Sequence, residues 1–198
     1  MPPAQAGLVS ERFTAFQAPL EHSLAKINPD TLNLQERVIR TNKCQKTTKG
    51  GRNMSWSALV VVGDGEGHVG VGLGKARGIP DAIRKGIEAA RKSLIRVPLT
   101  SGTLPHEIFL RQGAAEVMLR PASAGTGIVA GSSMRTILEL AGVTDVLGKS
   151  LGSANALNIA WVTIEALKRM KQAGEVARLR GVDPLRRHDT APAEDVVL

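Results

Sequence analysis

The chain has 198 residues, 42% of them hydrophobic, and a formal net charge of +8 at pH 7. Such a balance indicates a polyanionic partner, either a nucleic acid or an anionic membrane surface. No apolar run approaches the roughly 18 residues that a spanning helix needs, and the first residues lack the basic and apolar regions of a signal peptide. We therefore expect no membrane partner.

Cysteine, histidine and aromatic content exclude further classes. Cys44 is the only cysteine, which rules out a disulfide framework and fits the reducing cytoplasm. Four scattered histidines do not have the spacing of ligands, so we expect no structural metal. We also expect no cofactor and no small-molecule substrate. Aromatic residues make up 3% of the chain, too few for a protein that stacks the bases of single-stranded RNA.

The first 33 residues contain four prolines and follow neither the helical nor the strand period, which predicts a flexible N-terminal extension over 1–33. A first strand is predicted from Leu34 onward. Six cations and no acidic residue then occupy the segment from position 37 to position 52. They are Arg37, Arg40, Lys43, Lys46, Lys49 and Arg52. This run predicts contact with phosphate.

The segment KTTKGGR predicts a loop in which Gly50 and Gly51 permit positive φ. Two glycines let backbone N–H groups approach a phosphate while the neighbouring cations neutralise it. The alternative interpretation is a solvated hairpin turn. A strand over 54–62 follows, and its run of four apolar residues predicts burial on both faces.

Asp64 and Gly65 predict a tight hairpin turn into a return strand, HVGVGLGK. On that strand Gly70, Gly72 and Gly74 share one face, which predicts close approach by another part of the protein or by the backbone of a ligand. The glycines lie in a hairpin rather than in a turn from strand to helix, and Ala76 stands where a P-loop needs Ser or Thr. A nucleotide-binding enzyme is therefore disfavoured.

A helix is predicted from about Pro80, with its core-facing stripe formed by residues at spacings of three and four. The stripe consists of Ile79, Ala82, Ile83, Ile87, Ala90 and Leu94. The basic flank of this helix, with Arg84 and Lys85, suits either phosphate contact or solvent. The linker VPLTSG is predicted to end the first domain.

The second half predicts strands at 108–111 and 116–120, and a glycine loop that enters a helix capped by Ser132 or Ser133 and ended by Gly142. That loop suits either an anion site or close backbone packing. A strand over 144–150 precedes a last helix, which is capped by Ser153 or Asn155 and places Trp161 on its apolar face, in the core or in an interface. Gly174 is predicted to end this helix, and a flexible tail is predicted over 173–198.

Four motifs in this order and spacing resemble the family of the fifth protein of the small ribosomal subunit, in its bacterial form: KTTKGGR, ALVVVGDGEGHVGVGLGKARGIP, PASAGTGIVAGSSMRTILELAG and LGSANALNIAWVTIEAL. The resemblance implies an α+β protein of two small two-layer domains. The first, over 34–98, is similar to a double-stranded-RNA-binding domain with three strands and a helix. The second, a sandwich over 99–172, has four strands, two helices and a left-handed βαβ crossover.

The resemblance also implies a non-enzymatic constituent of the cytoplasmic small ribosomal subunit. It would bind small-subunit rRNA, contact the neighbouring fourth and eighth small-subunit proteins, lie near mRNA, and influence subunit assembly and translational accuracy. The residues predicted to contact RNA are Arg40, Lys43, Lys46, Lys49, Gly50, Gly51, Arg52, Lys75, Arg77, Arg84, Lys85, Gly125, Gly127, Ser132 and Ser133. Two alternatives are a free-standing double-stranded-RNA-binding protein and an enzyme that uses Cys44.

Overall fold

The computed structural model describes Pro29 and residues 32–181. The tail after residue 181 and nearly all of the predicted N-terminal extension lie outside the described residues. The elements are β1 (Gln35–Thr48), β2 (Gly51–Gly63), β3 (His68–Ala76), α1 (Ile79–Lys92), β4 (Ile95–Arg96), β5 (Ile108–Gln112), β6 (Ala115–Pro121), β7 (Ile128–Val129), α2 (Ser132–Leu140), β8 (Val146–Gly152), α3 (Ala156–Lys168) and α4 (Ala173–Arg180).

The first domain is an antiparallel sheet in the order β1-β2-β3-β4, with α1 packed on one face. The expected three strands are therefore four. The additional strand β4 has two residues and pairs Ile95 with Val69 and Arg96 with His68. So short a strand carries no periodicity, which is why the sequence does not predict it.

The second domain is a mixed sheet in the order β5-β6-β8-β7. Its pairs are antiparallel except for β7 and β8, which run parallel and are joined by α2. This confirms the predicted α+β class, with two small two-layer domains. The β7, α2 and β8 elements form a βαβ unit, and its left-handed sense stays a prediction.

The predicted close approach to the glycine face of β3 is confirmed, and the approaching element is α1. A Cβ atom at Gly70, Gly72 or Gly74 would overlap the carbonyl oxygens of α1. The buried residues of α1 are small and spaced by four, namely Ala82, Gly86 and Ala90. The predicted stripe is confirmed at Ala82 and Ala90, but it is wrong in part, since Ile79 is exposed and Gly86 was not included. Small residues on both elements let the two backbones pack closely.

Burial of β2 on both faces is confirmed, and it joins the two domains. Val60 and Val62 pack towards α1, whereas Leu59 and Val61 belong to the core that contains α2 and α3. The Gly65 N–H also donates to the carbonyl oxygen of Leu140 at 3.0 Å. An ion pair between Arg37 of β1 and Glu139 of α2 lies beside this contact. One of the two hydrophobic clusters is thus shared by both domains, and the other lies between the first sheet and α1.

Helix ends in the second half differ from the prediction at several points. Gly131 is the N-cap of α2 and makes no side-chain cap, so Ser132 and Ser133 are the first helical residues. Asn155 caps α3 as predicted and accepts a hydrogen bond from the Leu157 N–H at 3.1 Å. Trp161 is 41% exposed rather than buried.

The C-terminal region also differs from the sequence prediction. Helix α3 ends at Lys168, so Gly174 does not end it. Instead Gly174 lies inside α4, a helix of eight residues that occupies the start of the predicted tail. Because α4 buries none of its residues, its sequence has no apolar stripe from which a helix could be predicted.

Candidate nucleic-acid interface

The distal part of the β1–β2 hairpin extends beyond the hydrophobic core. We call residues 40–56 the basic ribbon. Within the ribbon only Cys44, Ser55 and Trp56 are half-buried, and all other residues are exposed. The sequence explains this arrangement, since the ribbon is polar and basic, whereas the apolar run of β2 begins at Ala58. A two-stranded ribbon with two exposed faces is available to a partner from either side.

The strand register distributes the cations over both faces of the basic ribbon. Lys46 lies opposite Asn53, and Arg52 lies opposite Thr47. Because directly opposed residues share a face and neighbouring residues alternate, Lys46 and Arg52 point to different sides. Lys43 lies opposite Trp56, and its Nζ is 5.9 Å from the centroid of the indole ring. This cation–π contact holds one cation at the base of the ribbon.

The cations of the basic ribbon differ from those around it in their partners. Arg37 pairs with Glu139, and Arg91 pairs with Glu36 at 3.1 Å. Among the described residues, no carboxylate oxygen lies within 4.0 Å of a cation of the ribbon. These cations are Arg40, Lys43, Lys46, Lys49 and Arg52. Their charge is neutralised by no neighbour in the described chain, so it is available to an external anion.

The turn of the basic ribbon is formed by Lys49 and Gly50 between the paired residues Thr48 and Gly51. The Thr48 hydroxyl donates to the carbonyl oxygen of Gly51 at 3.0 Å. Of the two glycines, only Gly51 has a positive φ, at 148°. A Cβ atom at either position would meet nothing within 4 Å. The tip is therefore open to solvent on the side where a side chain would stand.

The other cations predicted to contact RNA lie on two different faces of the first sheet. Lys75 pairs with Ser57, which pairs with Asn42, so it stands on the sheet at the base of the basic ribbon. That face is opposite to the one that α1 covers. Arg84 and Lys85 lie exposed on α1, where Arg84 is 3.6 Å from Asp81. Arg77, between β3 and α1, is also exposed. The structure does not bring these four cations into one cluster.

The second-domain loop that contains Gly125 and Gly127 already holds an anion of the same chain. The Gly127 N–H donates to Oδ1 of Asp145 at 2.9 Å, and the Thr144 hydroxyl donates to Oδ2 at 2.8 Å. The first of these hydrogen bonds, followed by the second, lowers the pKa of Asp145, and the N–H groups of Gly125 and Thr126 act in the same direction. The predicted approach of a phosphate to these N–H groups therefore meets a carboxylate.

The two serines after this loop differ in exposure. Ser132 is exposed in the first turn of α2, whereas Ser133 is 7% exposed and lies within the second domain. Of the two serines, only Ser132 is exposed to solvent.

Sequence reasoning missed Asp145 and the contact between Lys43 and Trp56. Both depend on pairing between distant segments. Cys44 lies opposite Ser55 in the ribbon. Across residues 29 and 32–181, no group of three or more His, Cys, Asp or Glu side chains could hold a metal ion. None of the helices in the described part of the chain is long and apolar enough to cross a membrane.

The fold and its charge distribution define a two-domain α+β protein that presents a basic ribbon. A model of the ribosomal protein S5 N-terminal domain matches residues 34–98, and a model of the S5 C-terminal domain matches residues 110–180. A curated relative, small ribosomal subunit protein uS5 of Chloroflexus aurantiacus, is 52% identical over 159 residues, which cover 80% of this chain and 89% of the relative. The chain belongs to the ribosomal protein S5 family, and it is therefore a structural protein of the small ribosomal subunit.

Proposed function

We propose that the chain binds small-subunit rRNA through the basic ribbon. The observation that carries this proposal is the set of five cations on two exposed faces, with no carboxylate of the described chain within 4.0 Å. Their side chains neutralise phosphates, and the turn at Lys49 and Gly50 approaches the RNA backbone. Specificity comes from RNA shape, because the ribbon has Trp56 as its one aromatic residue and Lys43 lies over that ring.

The number of cations sets the expected salt dependence. Each phosphate that is neutralised contributes about 0.7 to 0.9 to the slope of log affinity against log salt. Five ribbon cations acting together give a slope of about −3.5 to −4.5 from this element. Lys75 and Arg77, at the base of the ribbon, add to that value if the same RNA segment reaches them.

Family membership supports further parts of the proposal. In the cytoplasm, the protein joins the small subunit next to the fourth and eighth small-subunit proteins and close to the path by which mRNA enters. There it supports subunit assembly and influences translational accuracy. The chain offers these neighbouring proteins two exposed surfaces, helix α4 and the start of α2 at Ser132.

The test reverses the charge of the ribbon tip with Lys49→Glu and Arg52→Glu in one variant. We expect affinity for small-subunit rRNA to fall by about 100-fold, since two charge-assisted contacts are worth about 3 kcal/mol together. The salt slope should become shallower by about 1.4 to 1.8. Both residues are exposed, so the midpoint of thermal unfolding should stay unchanged. Filter binding at several salt concentrations and sedimentation with small subunits measure these effects.

A matched control reverses Lys168 and Lys171, two exposed cations of the second domain, to Glu. This variant has the same change in net charge and should retain the salt slope of the wild type. Full incorporation of the tip variant into small subunits would contradict the proposal. If both variants lose the same affinity for rRNA, the loss is caused by the change in net charge and not by the ribbon. Protein that binds rRNA but does not sediment with subunits would favour a free-standing RNA-binding protein.

A further inference from the structure

We propose that the loop Ser123–Gly127 is an anion cradle whose resident ligand is the carboxylate of Asp145. We call these five residues the cradle. Asp145 is 8% exposed and carries the charge that the cradle surrounds. Both of its carboxylate oxygens accept hydrogen bonds, one from the Gly127 N–H at 2.9 Å and one from the Thr144 hydroxyl at 2.8 Å. The loop for which the sequence suggested an external anion thus binds a carboxylate of its own chain.

The backbone of the cradle has the geometry of an anion site. Gly125 and Gly127 have φ values of 92° and 73°, in the left-handed region, and Thr126 lies between them. Backbone of this kind can direct N–H groups at an anion, and here the Gly127 N–H points at the Asp145 carboxylate. A Cβ atom at either glycine would meet nothing within 4 Å. Glycine is therefore needed here for its positive φ and not for lack of space. The Thr126 hydroxyl and N–H both donate to the Ser123 carbonyl oxygen, at 2.8 and 3.2 Å, and close the turn.

The main chain of Asp145 is fixed by the linker between the domains. The Thr103 hydroxyl donates to the Asp145 carbonyl oxygen at 2.6 Å and accepts from the Ala122 N–H at 3.2 Å. The Asp145 N–H is 3.3 Å from the Gly102 carbonyl oxygen. Within residues 32–181, every group that bonds to Asp145 is neutral. The carboxylate is therefore held by oriented N–H and O–H dipoles, and its position connects the linker, the cradle and the start of β8.

Two consequences follow for the molecule. The N–H groups of Thr126 and Gly127 donate to the Ser123 carbonyl oxygen and to Asp145, so they are not free to bind an RNA phosphate. Contact between this region and a partner therefore uses the outer surface of the loop and Ser132. Removal of the carboxylate would leave a cradle of matching chemistry, able to accept a small external anion. Formate is the suitable probe because it has the same two oxygens and little bulk.

The experiment measures thermal unfolding of the full chain for Asp145→Ala, in chloride and in formate at a matched ionic strength of about 0.15 M. We expect the variant to unfold several degrees below the wild type. Formate should raise its midpoint progressively with concentration. The control is Glu107→Ala, which removes a carboxylate that pairs with Arg120 at 3.1 Å on the surface. Formate should shift the control and the wild type equally. An Asp145→Ala protein that folds and responds to formate no more than the control would overturn the proposal.

A second measurement covers the case in which Asp145→Ala does not fold. In the wild-type chain, the amide proton resonances of Gly125, Thr126 and Gly127 should titrate together as acid protonates Asp145. The isosteric variant Asp145→Asn should abolish that titration. If the three amides do not shift together in the wild type, or shift equally in Asp145→Asn, the carboxylate is not the ligand of the cradle.

Discussion

Two glycine loops of similar composition differ in what their backbone N–H groups face. At the tip of the basic ribbon, Gly50 and Gly51 have open space where a side chain would stand, and cations surround them. In the second domain, the Gly127 N–H binds the carboxylate of Asp145, which lies 18 residues further along the chain. A glycine loop is therefore not by itself a phosphate site. The deciding factor is whether an acid of the same chain reaches it.

The glycines of β3 represent a third use of the same residue. Gly70, Gly72 and Gly74 are needed for space, because the backbone of α1 occupies the position of a Cβ atom. The β3 glycines are thus required for close packing and those of the second-domain loop for positive φ, whereas at the tip of the basic ribbon only Gly51, with its positive φ, requires glycine. The three regions should differ in how strongly a change there alters stability. Alanine substitution tests β3 and the tip of the basic ribbon, and acidification tests the second-domain loop through Asp145.

The largest effect is expected for Gly72→Ala. Its Cβ atom would overlap the carbonyl oxygen of Gly86 and the N–H of Ala90, and backbone atoms of a packed helix have little freedom to move. We expect the free energy of unfolding to fall by about 3 kcal/mol or more. Urea denaturation monitored by circular dichroism measures this change. A loss below about 1 kcal/mol would mean that α1 shifts away from β3 without cost.

An intermediate effect is expected on acidification, and it should depend on Asp145. Its pKa in the folded state is below the ordinary value of 3.8, mainly because of the hydrogen bond from Gly127. The folded state therefore prefers the ionised form, and the stability that this preference contributes is full above about pH 4 and is lost as pH falls through the lowered pKa. Denaturation at several pH values should show a shallower acid loss in Asp145→Asn than in the wild type.

Asp64 titrates in the same direction and serves as the comparison within the first domain. Burial raises its pKa, but hydrogen bonds from the N–H groups of Glu66 and His68 and the contact with the His68 ring at 2.5 Å outweigh burial and lower it. Asp64→Asn should therefore remove a separate part of the acid loss. Identical pH profiles for Asp145→Asn and the wild type would contradict the role given to Asp145.

The smallest effect is expected for Gly50→Ala. The added methyl group meets nothing within 4 Å and Gly50 does not have a positive φ, so the free energy of unfolding should change by less than about 0.5 kcal/mol. Binding to rRNA is the informative measurement. If the turn approaches the RNA backbone closely, the methyl group weakens binding although the protein remains equally stable. Unchanged affinity would mean that the tip contacts RNA through the side chains of Lys49 and Arg52 and not through the backbone of the turn.

Local sequence patterns predicted much of the fold because most elements have a clear period or cap. The strand pattern of β3 with its bare glycine face, the two-sided burial of β2 and the cap at Asn155 could all be predicted from neighbouring residues. The two-residue strand β4 and the exposed helix α4 have no such pattern. Their existence depends on pairing and chain geometry rather than on periodicity.

The candidate interface could be predicted in part for the same reason. A cluster of cations without acids is visible in the sequence, so the basic ribbon was predicted. Which cations find a carboxylate, as Arg37 does with Glu139, depends on contacts between residues far apart in the chain. The same holds for Asp145, because the residues next to it in sequence do not indicate that it binds the N–H of Gly127.

The burial of β2 on both faces has a consequence for synthesis of the protein. Leu59 and Val61 are covered by helices that end near residue 168, about a hundred residues later in the chain. The first sheet is complete at Arg96, about seventy residues before the end of α3, so at roughly 5–20 residues per second it exists for about 4 to 14 seconds with one apolar face uncovered. During that interval the nascent chain resembles a folding intermediate with exposed apolar surface. The yield of folded protein therefore depends on whether the second domain is synthesised and packs onto the sheet before the sheet aggregates with another chain.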